Sequence, residues 1–366
     1  MKPLHFILGT VCNVRIQRHL QHSINKGENP VLLRRNGVEP PNCRHQVWIP
    51  DWDKVEVETY RRNRWADYMI PQRGDPLGIR KCFRDYGCDV VHAHNMEAAY
   101  YAVHSGLPVV FDDWEFYLKY LYYRPLIDVN NPTKHFHGLL ECNPAGLPLK
   151  LLKRHRSTGV MEDLLKAVPV IVTNRCVKEA YEALGAHAFF VPNVPLWLER
   201  VDALAEPVEK EPVTTTGYVG TITNDNRRNK LRNMEGIPEL WRKHCLGKLV
   251  LFEGKNVVPH PQMLRRMARF HFNLLYWQPR SYHRYYLQNK AFLASAVGVP
   301  TIITSSLEDT VALLGEYALP VADMEEIPSV MQRWLESPGR LPVKPEQYWE
   351  HYSSEVEGAY RMAVAS

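Results

Sequence analysis

Residues 168–192 read VPVIVTNRCVKEAYEALGAHAFFVP, and this stretch carries the pattern that decides the fold. It begins with a short apolar run, VPVIVT, and ends with a second one, AFFVP. Between them, VKEAYEALG has the apolar spacing of a helix, with Gly185 as its stop. A short strand, a helix and a second short strand predict a parallel βαβ unit.

The same alternation continues on both sides of this stretch. Upstream, apolar runs alternate with helical spacing at 4–8, 30–35, 89–94 and 107–111. Downstream, they recur at 216–222, 248–254, 271–277 and 299–304. Residues 195–216 interrupt the pattern with three prolines and an acidic cluster, which is typical of a linker.

The alternation predicts an α/β protein with two Rossmann-like, doubly wound domains joined by a linker. The predicted parts are a first domain over 1–195, a linker over 196–215, a second domain over 216–345 and a helix over 346–366 that returns to the first domain. Ligands of such sheets bind beyond the carboxyl ends of the strands. Candidate site residues are therefore those that directly follow the strands.

Composition narrows the class of protein further. The chain has 366 residues, enough for two domains, and its apolar share of 45% is ordinary for a globular protein. Its seven scattered cysteines include no CxxC pair, which argues against a disulfide framework or a zinc knuckle and predicts a cytoplasmic protein. No run of 18 apolar residues occurs, so no membrane-spanning helix is expected, and we interpret the N-terminal stretch as a strand rather than a signal peptide.

The net charge of +5 suits a negatively charged partner, and one region has the composition that an anion site requires. Residues 254–307 contain no Asp or Glu but several cationic residues. A diphosphate needs cations and helix N-terminal amides without competing carboxylates, and Arg280 and Lys290 flank a predicted strand end and helix start. Arg228 lies in a second basic cluster, after the strand that carries Gly220; this cluster is either a phosphate contact or a solvated loop. Gly9, at the first strand–helix junction, is a weak nucleotide signal by itself.

Polar residues also follow two strands of the first domain. Asp112, Asp113, Trp114 and Glu115 follow the run LPVVF, where they are suited to orienting hydroxyls, acting as bases or lying under a sugar ring. Capping of the following helix explains one or two of these carboxylates.

A second polar group ends the strand DVVHAH. His92 and His94 are two residues apart, a spacing found in metal sites, but no third ligand with suitable spacing is visible, so no metal site is expected. We expect one of the two histidines to face the cleft and the other to lie in the core.

Taken in order, these segments resemble the GT4-like retaining glycosyltransferases with the GT-B fold. The residues that carry the resemblance are DVVHAHN (89–95), LPVVFDDWE (107–115), VIVTNRCVKEAYEALGAHAFFVPNVP (170–195), GYVGTI (217–222), LVLFEG (249–254) and NKAFLASAVGVPTIIT (289–304). The last segment is similar to the family's K-x-F-E-Y-x-A-x-G-x-P helix, and YSSEVEGAYRMAV is similar to its final helix. The resemblance covers nearly the whole chain.

The resemblance implies transfer of a sugar from a nucleotide-diphosphate sugar, with retention of configuration and without an essential metal or other cofactor. The second domain would bind the donor, with Lys290 on the diphosphate, and the first would bind the acceptor. The predicted catalytic residues are Asp113, Trp114 and His94. The predicted donor-binding residues are Lys290, Arg280, Arg228, Gly9 and Gly220. The predicted acceptor-binding residues are Asp112, Glu115 and Asn193.

The chain departs from the family at three positions. Tyr286 and Leu293 stand where the family has its paired glutamates, and Leu293 cannot accept a hydrogen bond from a ribose or sugar. Trp114 stands where the family has a histidine near the acceptor. These departures keep an alternative open, in which the chain is a GT-B binding protein or a partner subunit of another transferase without catalysis of its own.

The acceptor can be a glycan, a lipid-linked molecule or another compound. Residues 60–84 combine six arginines, one lysine and interleaved aromatic residues, which suits peripheral contact with anionic lipid at the inner membrane face; a solvated surface loop is the ordinary alternative. A nucleic-acid partner is not expected, because no recognisable module or concentrated basic arm is present.

Overall fold

The computed structural model describes residues 1–9, 13–37, 47–61, 69, 74–114, 159–219, 236–252, 258–279 and 281–366. The chain divides into two compact units. The first comprises Met1–Val191 together with Ser353–Ser366, and the second comprises Pro192–Tyr352. Each unit contains one parallel sheet with helices packed against it.

The first unit is built on a seven-stranded sheet in the order β3-β2-β1-β4-β5-β6-β7. Its strands are β1 (Pro3–Phe6), β2 (Val31–Arg35), β3 (Glu56–Tyr60), β4 (Val90–Ala93), β5 (Val109–Asp113), β6 (Val170–Val172) and β7 (Ala188–Phe190). Its helices are α1 (Val14–Asn25), α2 (Ile79–Asp85), α3 (Met96–His104), α4 (159–167) and α5 (Arg175–Glu182), with Ser353–Ala365 added from the far end of the chain. The direction of winding reverses between β1 and β4, which makes their carboxyl ends the topological switch point.

The second unit is built on a five-stranded sheet in the order β12-β11-β10-β8-β9. Its strands are β8 (Thr215–Val219), β9 (Lys248–Phe252), β10 (Phe272–Leu275), β11 (Thr301–Thr304) and β12 (Ala318–Val321). Its helices are α6 (Trp197–Ala203), α7 (Ile237–Lys243), α8 (His260–Ala268), α9 (Asn289–Ala296), α10 (Glu308–Leu314) and α11 (Ile327–Glu336). The last helix in the chain, Ser353–Ala365, packs in the first unit and is named α12. The switch point lies between β8 and β10.

Two Rossmann-like, doubly wound units confirm the predicted fold class. Most strands are short and rich in Val, Ile, Leu and Phe, because helices cover both faces of each sheet and bury the strand centres. Within the stretch predicted as a linker, residues 197–203 form α6, whose Ala203 packs in an apolar cluster of the second unit. The helix predicted over 346–366 occupies Ser353–Ala365. None of the helices among the described residues combines the length and apolar character that a membrane crossing needs.

Helix α12 is held to the first sheet by specific contacts. A hydrogen bond of 2.7 Å joins the Tyr360 hydroxyl to Nδ1 of His92, in the centre of β4. At Gly358, an added Cβ would lie 3.0 Å from the ring of Phe189 in β7, so the absence of a side chain lets the helix approach the sheet closely. The first sheet therefore receives one of its covering helices from a segment more than 160 residues away from β7.

Candidate functional site

The switch point of the first sheet is formed by the residues that follow β1 and β4. The Asn95 side chain caps α3 by accepting the Ala98 N–H at 2.9 Å, and its oxygen lies 3.4 Å from the Leu8 nitrogen. Gly9 follows, with its carbonyl accepting the Arg35 N–H at 2.8 Å. Among the described residues, a Cβ built on Gly9 would meet the Ile7 side chain, at 3.8 Å. The donor-binding role of Gly9 stays a prediction.

Asp113 and Trp114 end β5 next to this point. Asp113 is 2% exposed and accepts a hydrogen bond from the Tyr181 hydroxyl. The half-buried Trp114 indole donates its N–H to the His94 carbonyl, which fixes the ring at the carboxyl end of β4. Both side chains are thus held at the predicted edge of the sheet, and their catalytic roles stay predictions.

His92, His94 and Asp112 lie together inside the unit, together with His19 from α1. In a strand, residues two apart point to the same face, so His92 and His94 share one face of β4. The register pairs Ala93 with Phe111, which sets His94 beside Asp112. Both histidines are fully buried, so the expectation that one faces a cleft was wrong.

This buried group is referred to below as the histidine cluster, which consists of His19, His92, His94 and Asp112. One ligand atom from each of the four lies within 4.8 Å of the others. Burial argues against the acceptor-binding role predicted for Asp112, because its carboxylate is occupied by protein groups.

Arg15, one turn before His19 on α1, holds the Asp112 carboxylate. Its Nη2 lies 2.7 Å from Oδ1, and its Nε lies 3.0 Å from Oδ1 and 2.9 Å from Oδ2. Burial raises the pKa of Asp112, but the Arg15 guanidinium and the neighbouring histidines outweigh it and hold that pKa well below its ordinary value. Burial, followed by the effect of His92, lowers the pKa of His94 to about 3, so the imidazole is neutral and the carboxylate is charged.

The second unit presents its own group of polar and aromatic residues beyond β10. His283 is buried, with Nδ1 2.8 Å from the Ser306 hydroxyl, and its ring packs edge-on against Trp277 at 5.5 Å between centroids. The Tyr286 ring contacts Trp277 from another direction, at 6.4 Å. The chain then enters α9, where half-buried Lys290 is the second residue. Lys290 and the first amides of α9 thus lie at the switch-point edge of the second sheet, the position that suits an anion.

Leu293 lies on the buried side of α9. It is 4% exposed and packs in an apolar cluster with Phe252, Met263 and Val299. The position that matches the family's second glutamate therefore belongs to the core of this protein, which explains why an apolar residue occupies it.

Four of the predicted site residues lie outside the described residues: Glu115, Gly220, Arg228 and Arg280. Asn193 is half-buried and belongs to the second unit, two residues after Val191. Sequence reasoning missed Arg15 and His19, because nothing in an isolated helix shows which of its polar faces is buried. It did not predict the contact between His283 and Ser306, although both lie within the carboxylate-free stretch 254–307 that pointed to this edge.

Two Rossmann-like units, each built on a parallel sheet, give the chain the GT-B fold class. The structure resembles sucrose-phosphate synthase from Thermosynechococcus elongatus with a TM-score of 0.56 at 12% identity, covering 100% of this chain and 97% of that chain. It resembles Anabaena HepE in complex with UDP with a TM-score of 0.51 at 12% identity, covering 100% and 96% of the two chains. HepE in complex with UDP-glucose gives a TM-score of 0.51 at 11% identity, again over 100% and 96%.

No protein-family model and no curated protein matches the sequence. At 11–12% identity, the likeness to these solved structures establishes the GT-B fold alone.

Proposed function

We propose that this chain is a glycosyltransferase that moves a sugar from a nucleotide-diphosphate sugar to an acceptor, with retention of configuration and without a catalytic metal. The observation that carries the proposal is the position of Lys290 in the first turn of α9, at the switch-point edge of a GT-B second unit. Two similar solved structures are complexes with UDP and UDP-glucose, which supports a donor of this class.

Lys290 is the proposed contact to the donor diphosphate. When the bond between sugar and phosphate breaks, negative charge grows on the leaving diphosphate, and a cation there stabilises the transition state more than the ground state. The amides at the start of α9 add the positive end of the helix dipole. No carboxylate occurs between Glu253 and Glu308 to compete for the cation. Arg280, Arg228 and Gly220 remain proposed donor contacts from the same unit.

The first unit is proposed to bind the acceptor. Trp114, held by its N–H on the His94 carbonyl, is the proposed platform for a sugar or other acceptor ring. Asp113 is the proposed base or positioning group beside it, and His94 acts through the backbone carbonyl that orients Trp114. Glu115 remains a proposed acceptor contact of this unit, and Asn193 remains a proposed acceptor contact from the second unit. Gly9 remains a proposed donor contact.

The acceptor is proposed to be a glycan or a lipid-linked molecule. The basic stretch 60–84 is the proposed contact with anionic lipid of the inner membrane face, and its residues 62–68 and 70–73 fall outside the described residues. A cytoplasmic location fits the scattered cysteines, of which Cys82, Cys88 and Cys245 are free thiols among the described residues.

The test is nucleotide binding by the parent protein and by two lysine variants. We expect UDP or GDP to bind the parent in calorimetry, and the matched nucleotide-glucose to be consumed when a suitable acceptor is present. Lys290→Ala loses a charge-assisted contact that is worth about 1.5–3 kcal/mol, so its affinity is expected to fall roughly tenfold to a hundredfold. Lys248→Ala is the matched control, since Lys248 is exposed at the amino end of β9, the opposite edge of the same sheet. Equal affinities in the parent and Lys290→Ala, or no binding of either nucleotide, would remove the proposal.

Leu293 supports a second candidate, a GT-B binding protein without catalysis. With Leu293 in the apolar core and Tyr286 packed near Trp277, neither position of the family's glutamate pair offers a carboxylate to a ribose or sugar. This candidate predicts nucleotide-sugar binding that depends on Lys290 but no release of UDP or GDP over many turnovers. Measuring the released nucleotide in the presence of a panel of glycan and lipid acceptors separates the two functions.

A further inference from the structure

The histidine cluster has the dimensions of a metal site. Three of its nitrogens surround one oxygen, Oδ2 of Asp112: Nδ1 of His94 lies at 3.2 Å, Nε2 of His19 at 3.4 Å and Nε2 of His92 at 3.6 Å. A zinc ion bound tetrahedrally at about 2.0–2.1 Å from nitrogen and oxygen ligands separates those ligands by about 3.3 Å. The measured separations bracket this value, and they arise from α1, β4 and β5, which are rigid elements of the first unit.

The number of hydrogen-bond donors around the Asp112 carboxylate also favours a cation in the histidine cluster. An ionised carboxylate oxygen accepts about two hydrogen bonds. Oδ2 already lies 2.9 Å from Arg15 Nε, so it cannot also accept one from each of the three histidines. In particular, Nε2 of His92 is buried and lies 3.6 Å from Oδ2, beyond hydrogen-bond distance. A cation in the centre of the cluster would give this nitrogen a close ligand contact.

In both His92 and His94, the ring nitrogen that faces away from Asp112 contacts another protein group. Nδ1 of His92 lies 2.7 Å from the Tyr360 hydroxyl of α12, and Nε2 of His94 lies 3.0 Å from Nδ1 of His5 in β1. Histidines that bind metals commonly use their second nitrogen in this way, because the outer hydrogen bond fixes the ring and leaves a lone pair on the inner nitrogen. Arg15 plays the corresponding part for Asp112, since its guanidinium contacts both carboxylate oxygens and fixes the group with Oδ2 beside the histidines.

We propose that His19, His92, His94 and Asp112 bind one Zn²⁺ ion as a closed, structural metal site within the first unit. Three imidazoles and one carboxylate are a ligand set that zinc accepts, and four protein ligands leave no position for a reacting water. The ion ties α1 to the centre of the sheet and is separate from the transfer chemistry proposed above. Because the four side chains are at most 2% exposed, the ion enters while the chain folds rather than afterwards. The positive charge of Arg15 opposes a second cation, so zinc binds here more weakly than in a site without such a neighbour.

The test is refolding of the full chain from denaturant in the presence of Co²⁺ or Zn²⁺, followed by gel filtration and elemental analysis. The parent is expected to retain one ion per chain, to show the intense visible bands of tetrahedral Co²⁺ and to lose them when Zn²⁺ displaces the cobalt. His19→Gln removes one ligand and is expected to lower the metal affinity roughly tenfold or more. His22→Gln is the matched control, because His22 is a buried histidine three residues along the same helix and outside the cluster.

Several outcomes would overturn the zinc site. One is a refolded parent without bound metal or with an octahedral cobalt spectrum; another is an equal metal content in the parent and a folded His19→Gln. Loss of the metal in His22→Gln to the same extent as in His19→Gln would also count against it, since that result indicates binding elsewhere. Should His19→Gln fail to fold, the cobalt spectrum and stoichiometry of the parent still decide the matter.

Discussion

The pH dependence of stability at His22 can be worked out from the structure. His22 lies on the inner side of α1, is 8% exposed and has an Nε2 atom without a hydrogen-bond partner. Burial, assisted by the nearby charge of Lys26, lowers its pKa from 6.5 to about 4, while Glu357 acts weakly in the other direction. The perturbation that isolates this effect is His22→Gln, which keeps a polar side chain of similar size but cannot be protonated in this range.

The sign and size of the effect follow from linkage. Between pH 4 and 6.5 the unfolded chain binds a proton at His22 and the folded chain does not, so folding stability rises with pH in this window and is lost as the pH falls. A difference of about 2.5 between the two pKa values corresponds to about 3 kcal/mol, at 1.36 kcal/mol for each pH unit. Above pH 6.5 the histidine is neutral in both states and contributes no further pH dependence.

The assay is urea denaturation of the parent and His22→Gln at intervals between pH 4 and pH 7.5. The free energy of unfolding of the parent is expected to fall toward pH 4 by roughly 3 kcal/mol more than that of the variant. His187→Gln, which replaces an exposed histidine of the same unit, serves as the control and is expected to keep the parent's pH profile. Parallel profiles for the parent and His22→Gln would refute the reasoning, because they would mean that burial does not suppress protonation at this site.

Two substitutions test the packing of the second unit. Gly247→Ala is expected to lower the free energy of unfolding by about 2 kcal/mol or more, because φ is +83° and a Cβ would lie 2.1 Å from the Thr214 carbonyl oxygen. Gly185→Ala is the control. Its φ is +85° but no described atom lies near its Cβ, so the same urea denaturation measures the cost of the backbone angle alone. Leu293→Glu places a carboxylate among the apolar side chains that surround this position. It is expected to destabilise the protein by several kcal/mol and to leave nucleotide affinity no higher than in the parent. Leu293→Met is the control: it keeps the apolar volume and is expected to lower the free energy of unfolding by less than about 1.5 kcal/mol. If Leu293→Glu is as stable as Leu293→Met, Leu293 does not belong to the core.

The fold was predictable because its signal is local and repeated. Most strands are apolar runs of a few residues bounded by polar or turn residues, with the composition that burial on both faces of a parallel sheet requires. The edge strand β3, with the sequence EVETY, is partly exposed and lacks this pattern. The run around 170–190 shows this most clearly, since β6, α5 and β7 appear in the structure where the spacing predicts them. The start of α6 at Trp197 was not visible in the same way, because its short apolar spacing lies among prolines and acidic residues that are typical of a linker.

The candidate sites were less predictable because their residues meet only in three dimensions. Helix α1 carries Arg15, His19 and His22 on its buried side, and a polar sequence of this kind predicts an exposed surface rather than an interior. The burial depends on Asp112, which lies 97 residues from Arg15 in sequence. The pair His92 and His94 was recognised as a possible metal motif, but its third and fourth ligands could not be found by spacing along the chain. Lys290 was predicted as a donor contact because a family pattern and a local absence of carboxylates coincide there, and its role stays a prediction.

The position of α12 has a consequence for how the protein is made. A ribosome delivers Met1–Val191 first, then all of Pro192–Tyr352, and only afterwards the segment that supplies Tyr360 and Gly358 to the first sheet. At 5–20 residues per second, the roughly 160 intervening residues take about 8–30 s to translate. Through that interval the nascent first unit lacks a helix over β4, β5 and β7, whereas the second unit is one continuous stretch of the chain. We therefore expect the second unit to complete its folding before the first, which reverses the usual N-to-C order. Until α12 is synthesised, the first unit exposes part of its sheet and needs protection from aggregation.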